Sequence, residues 1–441
     1  MKSLSRAAIL AIGSELLTPL RIDTNSLFIT EQLNLLGIDV AFKSIIGDDR
    51  ADLAHAVGAA RQRVDLIVCC GGLGPTDDDV TREVVSGVLG RALTEDAGIT
   101  ERMRARFAAR GFTMPMPEIN RRQAMVPAGG QVIENDNGSA PGLWLEDGER
   151  VVLLLPGPPR ELKPMLTSLV GGRLGERASG VALVRRVIKI AGRIESQTEE
   201  ELRPLYASWA AASVPVAATI LAALGQIELH LSARAATRDA SARALDDAVQ
   251  QVAARLGADV FSADGASLEK VVGDLLAVRG LRIAVAESCT GGLITSRLTD
   301  VPGSSRYVER SVVSYSNPAK TELLGVPEEL IRAQGAVSEA VALAMADGIR
   351  TRAAVDVGVG VTGIAGPDGG TPEKPVGTVA IAAVTSGLTR SRVFRFMAER
   401  EQVKFQASQA ALDMVRRMLL AEAPAGSALG TPAPGVPGVR P

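Results

Sequence analysis

The sequence predicts an α/β fold class: two doubly wound α/β domains joined by a small α+β domain. Short apolar runs bounded by glycine turns alternate with helical patterns from residue 7 to about 170, and again from Ser267 to about Ala421. Alternation of this kind predicts parallel sheets covered by helices, with chemistry along the carboxyl edge of the strands. The stretch between reads strand, helix, two strands, helix, the content of a small α+β module. A length of 441 residues suits about two to four domains of ordinary size. The expected organisation is 1–170, 180–262 and 267–421, followed by a disordered tail over 422–441.

In the first domain Ala7–Ile12 reads as a strand, Asn25–Leu36 as a helix, Val40–Ile46 as a strand and Ala51–Arg63 as a helix. Asp65–Cys70 is a buried strand that ends in Gly71-Gly72. The glycine-rich stretch Gly171-Gly-Arg-Leu-Gly175 leads to the middle module. There Val187–Ala191 is a strand, Ser196–Tyr206 a helix, Ala217–Leu221 and Ile227–Ser232 strands, and Asp239–Leu256 a helix. An RNA-binding module would want a GxxG clamp or stacking aromatics, and neither is evident in it, so a scaffolding role is expected. In the third domain Ile283–Glu287 is a buried strand that turns through Ser288-Cys-Thr-Gly-Gly292 into the helical pattern Leu293–Leu298. The last twenty or so residues hold five prolines and four glycines with almost no charge, which reads as disorder.

Composition narrows the chemistry. The formal net charge is −2, which argues against a nucleic-acid binder relying on a whole-chain basic field. Cys69 and Cys70 end an apolar run and Cys289 sits in the turn, so no disulfide framework is implied. No apolar stretch reaches about 18 residues, as a membrane span would need. Met1 to Arg6 leads straight into a strand without a signal peptide, so a soluble cytoplasmic protein is expected. The only histidines are His55 and His230. A Ser-His-Asp triad or a histidine-rich zinc site within the third domain is therefore impossible. Lysine is scarce, eight against forty arginines, so a lysine near a candidate nucleophile is informative.

Two constellations carry chemistry. Ser288 falls at the carboxyl end of a strand, with Gly291 and Gly292 allowing close backbone approach and a helix N-terminus behind them. Two further strand ends contribute Ser314-Tyr315-Ser-Asn-Pro-Ala-Lys320, after a strand beginning near Val312, and Val359-Gly-Val-Thr362-Gly363-Ile-Ala-Gly-Pro367. A desolvated Lys320 would accept the Ser288 proton, while Thr362 and N–H groups near Gly363 would orient substrate. Cys289 is a rival nucleophile, although its neighbouring position would point it away. In the first domain Gly71-Gly72-Leu-Gly74-Pro-Thr76-Asp77-Asp78-Asp79 follows a strand, with glycines suited to phosphate and carboxylates suited to a divalent cation. Glu15 faces the same sheet edge, and Asn137-Gly-Ser139-Ala-Pro-Gly142 and Leu155-Pro-Gly-Pro-Pro159 add turns with free N–H groups.

Together these motifs resemble the CinA (competence/damage-inducible) family over almost the full length apart from the tail. The first third resembles the MoaB-like molybdopterin-binding domain, through Gly71-Gly-Leu-Gly-Pro-Thr and Asn137-Gly-Ser-Ala-Pro-Gly. The last third resembles the nicotinamide mononucleotide deamidase domain, PncC, through Glu287-Ser-Cys-Thr-Gly-Gly292, Tyr315-Ser-Asn-Pro-Ala-Lys320, Gly335-Ala-Val-Ser338 and Thr362-Gly-Ile-Ala-Gly-Pro367. The resemblance implies hydrolysis of nicotinamide mononucleotide to nicotinate mononucleotide and ammonia, without a cofactor. In that scheme Ser288 is the nucleophile, Lys320 the base, and Tyr315 and Thr362 position the substrate. Glu287, Gly291, Gly292, Gly363 and Arg400 are then the expected substrate-binding residues, with Arg400 on the phosphate. Before that arginine stands Ala398-Glu399, where relatives often have Gly-Asp.

For the first third the resemblance implies a pyrophosphatase acting on ADP-ribose with a divalent metal such as Mg. Gly71, Gly72, Gly74, Thr76, Asn137 and Ser139 would hold the nucleotide, and Asp78, Asp79 and Glu15 the metal. Leu16-Leu17-Thr18-Pro19 departs from the Leu-Leu-x-Gly common in relatives, and proline removes an N–H from that loop. A homodimer is expected by the same analogy, with no nucleic-acid or membrane partner. Two other readings stay open: the pyrophosphatase as the main activity, or a nucleotide-binding regulatory protein with no turnover.

Overall fold

The apolar runs Arg6–Ile12, Leu66–Cys70 and Arg150–Leu155 form the centre of a six-stranded sheet in this computed structural model, which describes residues 3–109, 116–178 and 180–422. The sheet order is 39–46, 6–12, 66–70, 150–155, 142–147, 131–133. The first four strands are parallel and the last two antiparallel. A tight turn at Gly148 (φ +62°) joins Gly142–Asp147 to Arg150–Leu155, and so short a link permits only antiparallel pairing. Both faces are covered. Arg50–Arg61, Thr81–Val88 and Ala97–Ala109 pack on one, and Asn25–Leu35 and Pro159–Gly171 on the other.

The third domain repeats the plan with five strands, ordered 308–313, 283–287, 357–363, 378–384, 389–395. The first three are parallel, and the last two form an antiparallel edge. One core lies under the helices Leu268–Arg279, Leu293–Thr299 and Arg400–Ala421, and another under Asn317–Leu324, Glu328–Gln334 and Glu339–Ala353. The strand expected near Val312 runs from Val308 to Val313. Its first residues sit at the sheet edge, with Val308 and Glu309 only partly buried and Arg310 exposed, so they lack the apolar run that marks a central strand.

In both sheets the chain leaves a central strand, adds a strand on one side, and returns to the other side of the first. The switch points lie between Arg6–Ile12 and Leu66–Cys70, and between Ile283–Glu287 and Val357–Gly363. Such crevices outside the carboxyl ends are where open α/β sheets bind ligands.

The middle module is a four-stranded sheet ordered 216–223, 226–235, 182–190, 260–262, with helices Glu195–Ala210 and Arg238–Leu256. Its helix aromatics Tyr206 and Trp209 lie 5.6 Å apart, and Trp209 is buried with its indole N–H donated to Gln251. The described residues fall into two compact units, those within 3–184 with 233–244, and those within 185–232 with 245–422. Among them no helix is long and apolar enough to cross a membrane. The tail expected over 422–441 lies, from residue 423 onward, outside the described residues.

Candidate active site

Ser288 follows the strand Ile283–Glu287 and is almost wholly buried. Its N–H donates to Val361 O at 2.9 Å, which extends the parallel ladder one residue past the strand. The chain then reverses at once, with Gly291 N–H donating to Ser288 O at 3.1 Å. Gly291 and Gly292 have φ of +64° and +94°, a region that glycine enters without strain. The helix Leu293–Thr299 starts directly behind.

Lys320 stands in the first turn of Asn317–Leu324. Ser316 caps that helix by accepting from Ala319 N–H, and Pro318 fits a position whose N–H has no helical partner. The side chain is 1% exposed, whereas a solvated helix-start lysine would point outward. Its Nζ lies 3.1 Å from Ser288 Oγ, 2.9 Å from Ser314 O and 3.3 Å from Tyr315 O. It forms no ion pair among the described residues, so burial pulls its pKa below the usual lysine value, with a smaller opposing effect from Cys289. The two carbonyls accept only and therefore fix two Nζ hydrogens. The remaining tetrahedral direction faces Ser288, where a neutral amine presents its lone pair to the hydroxyl proton.

The other expected residues divide into two groups. Tyr315 gives its carbonyl to Lys320, and its exposed hydroxyl accepts from Arg400 at 3.1 Å. Arg400 also donates to Gly366 O at 2.6 Å. Ser288, Lys320, Tyr315 and Arg400 thus form one connected set. Glu287, Thr362 and Gly363 are held by the scaffold. The buried Glu287 carboxylate accepts from the N–H groups of Gly292, Ile294 and Thr295 and from the Thr295 hydroxyl at 2.9–3.1 Å. It caps the helix behind the nucleophile, and its oxygens are engaged there rather than facing the crevice. Thr362 donates to Ala336 O at 2.9 Å and anchors the loop before Ser338. A Cβ on Gly363 would lie 2.9 Å from Cys289 Sγ and 2.7 Å from Val379, so glycine there lets the strand end pass over the turn.

Cys289 belongs to the hydrophobic core, and burial pushes its thiol up to about 12. A thiol so held supplies almost no thiolate near neutrality. Ser288 is the nucleophile candidate that the geometry supports. Lys404 went unnoticed in the sequence. Its Nζ lies 3.8 Å from where a Gly291 Cβ would be, and its i, i+4 spacing from Arg400 in a lysine-poor chain is the signal that would have found it.

The first domain holds a cavity of about 620 Å³ at its switch point. Gly71, Gly72, Gly74 and Ser139 line it, as do Glu15, Asp78 and Asp79, while Thr76 and Asn137 lie outside the lining. Thr76 instead holds Asp79: its N–H and hydroxyl donate to Oδ2 at 2.9 and 2.5 Å, and Gly74 N–H donates to Oδ1 at 2.8 Å. Asn137 donates its N–H to Asn135 Oδ1 within its own loop. Both Asp79 oxygens thus shape the loop. The Glu15 carboxylate folds back over Gly13, within 2.5 Å of where a Cβ would sit. Asp78 is exposed, its carboxyl held low by the Thr76 hydroxyl. These three carboxylates do not converge, and among the described residues no group of three or more His, Cys, Asp or Glu side chains is placed to hold an ion. The donor set does not fit the divalent metal that the resemblance implies.

Comparison with known proteins accounts for all three domains. Residues 8–176 match the probable molybdopterin binding domain, 185–262 the damage-inducible protein CinA KH domain, and 265–419 the CinA C-terminal domain. The middle module, expected only as a small α+β connector, thus carries a KH-like description. A CinA-like protein of Koribacter versatilis is 46% identical over 418 residues, spanning 94% of this chain and 100% of that protein. A putative competence-damage inducible protein of Symbiobacterium thermophilum is 43% identical over 426 residues, spanning 94% of this chain and 99% of that protein. The crystal structure of competence/damage inducible protein CihA from Agrobacterium tumefaciens is 39% identical, covers 35% of this chain and 92% of that chain, and gives a TM-score of 0.33. With a MoaB-like domain, a KH-like domain and a CinA C-terminal domain in that order, the chain belongs to the CinA family.

Proposed function

We propose that the C-terminal domain is a nicotinamide-nucleotide amidohydrolase, converting nicotinamide mononucleotide and water to nicotinate mononucleotide and ammonia. The observation that carries this reading is the buried Lys320 Nζ at 3.1 Å from Ser288 Oγ, with no carboxylate partner among the described residues. Neutral Lys320 takes the hydroxyl proton as Ser288 Oγ bonds to the carboxamide carbon. The N–H groups of Cys289 and Thr290, which have no carbonyl acceptor among the described residues and meet the Cys289 thiol, are the donors beside Ser288 that would turn to the developing oxyanion. Lys320 returns its proton to the amide nitrogen as the C–N bond breaks, releasing ammonia and leaving an ester on Ser288. Water then gives its proton to Lys320 and attacks the ester carbon. The serine leaves with that proton restored, and the product is the carboxylic acid. Nothing in this scheme draws on a metal. The choice of nicotinamide mononucleotide over another primary amide rests on the family resemblance. Purified chain given this nucleotide should release ammonia and nicotinate mononucleotide one for one; absence of ammonia would exclude the reading.

A second reading rests on the N-terminal cavity. We infer that it binds a nucleotide, with the Gly71–Gly74 loop against phosphate groups. The reading stops at binding, because Asp79 is tied into its loop by Gly74 and Thr76 and, among the described residues, no group of three or more His, Cys, Asp or Glu side chains is placed to hold an ion. Saturable binding of ADP-ribose is expected by calorimetry. ADP-ribose cleavage that needs added Mg and stops with chelator would instead support pyrophosphatase activity.

A further inference from the structure

The turn Ser288–Gly292 does not hold its own shape. Gly291 and Gly292 stand at positive φ, and the helix Leu293–Thr299 behind them has only seven residues. A helix that short is marginal without tertiary support. Its anchor is Arg297, which is 8% exposed. The guanidinium donates to Ser408 Oγ and Glu269 Oε2 at 2.7 Å each and to Gln409 Oε1 at 2.6 Å. It also lies 4.7 Å from the centre of the Phe405 ring. Gln409 is buried as well, and its Nε2 donates at 3.0 Å to Gln226 Oε1, at the start of the middle module's strand Gln226–Ala235. Gln226 Nε2 in turn donates to Glu228 Oε1 at 2.8 Å. A Cβ on Gly225, in the hairpin turn before that strand, would lie 3.1 Å from Gln409 Cγ, so the turn rests directly on the helix Arg400–Ala421.

Every donor in this relay points away from Arg297, and its two ends fix that direction. A guanidinium only donates, so Gln409 must present oxygen to it. A carboxylate only accepts, so Gln226 must present nitrogen to Glu228 and oxygen to Gln409. Without Gln226 nothing selects the amide face that Gln409 turns to Arg297, and its nitrogen face would meet the guanidinium donor to donor. We propose that Gln226 is a positioning residue for the amidase site: through Gln409 and Arg297 it holds the helix behind the nucleophile turn, and the KH-like module is thereby a functional part of that site. The inference rests on the amidohydrolase reading. The first turn of the same helix is fixed on Glu287, the residue before Ser288, through Gly292, Ile294 and Thr295. Movement of the helix therefore carries Ser288 Oγ away from Lys320 Nζ, 3.1 Å off, and small misplacements of reacting groups slow a reaction steeply.

The test uses the full chain with Gln226→Leu, which removes both links of Gln226 to the relay. Ammonia release from nicotinamide mononucleotide should show kcat lowered about fivefold, the worth of one hydrogen bond, with KM unmoved. Arg297→Lys should lower kcat as well, and the double variant should be no slower than Arg297→Lys alone, because the same relay is cut twice. A kcat within twofold of wild type, a raised KM in its place, or effects that multiply in the double variant overturn the proposal. Hydrogen exchange separates that outcome from failure of the amidase reading. In Gln226→Leu the amides of Leu293–Thr299 should exchange about fivefold faster, with those of the strand Val357–Gly363 unchanged. If they do and wild type releases no ammonia, the brace stands and the amidase reading falls. Exchange in Leu293–Thr299 equal to wild type overturns the proposal whatever the activity.

Discussion

The Lys320 amine stands 3.1 Å from the Ser288 hydroxyl while two carbonyls, Ser314 O and Tyr315 O, occupy its other directions. The pair joins the start of the helix that follows Val308–Val313 to the end of the neighbouring strand Ile283–Glu287. Neither carbonyl has a side-chain signature, so only the fold shows why the amine faces Ser288.

That arrangement requires Lys320 to lose its proton, which arginine does not do in proteins. Lys320→Arg keeps the charge and should still lower ammonia release from nicotinamide mononucleotide by roughly a thousandfold or more. Appreciable activity in this variant would mean that a cation suffices and that no base is needed there.

Burial lowers the Lys320 pKa, so kcat/KM should climb with pH through a midpoint below the ordinary lysine value and then level off. The same shift affects stability. Between the folded and the unfolded pKa the unfolded chain holds the extra proton, so this residue's contribution to stability rises with pH across that window. Below the folded pKa the contribution is at its lowest. A rate profile whose rise has its midpoint at or above the ordinary lysine value would count against the base assignment.

Cys289 should be dispensable. Its thiol is buried and pushed up to about 12, so alkylating reagents should leave the folded protein active. Cys289→Ala should keep kcat within a few-fold and cost about 1 kcal/mol of stability in urea unfolding. Inactivation by a thiol reagent, blocked by substrate, would return the cysteine to candidacy.

Glu287 is expected to act on stability first. Glu287→Ala strips four donors of their buried acceptor and should cost on the order of 3 kcal/mol, read from the urea midpoint. A variant as stable as wild type with a raised KM would show instead that the carboxylate meets substrate.

Much of this was legible in the sequence for a physical reason. Buried central strands are continuous apolar runs, and glycine turns after Cys70 and Glu287 mark the carboxyl edge where loops carry chemistry. The scarcity of lysine drew attention to Lys320. The antiparallel edge of each sheet was not legible, because hairpin and crossover connections look alike in hydrophobic pattern. Nor were the tasks of Glu287 and Asp79. A carboxylate beside a glycine turn reads equally as a ligand contact or a cap, and only the N–H groups around it decide. Lys404 was missed because its partner surface, Gly291, lies more than a hundred residues away in sequence.

The first measurement is ammonia release from nicotinamide mononucleotide by the wild-type chain and by Ser288→Ala, side by side in excess chelator, with circular dichroism to check the fold. Chelator-insensitive release by wild type, lost by about a thousandfold or more in a folded Ser288→Ala, is expected of a Ser–Lys amidohydrolase. Release that persists in Ser288→Ala, or that stops with chelator, would show that another group performs the reaction.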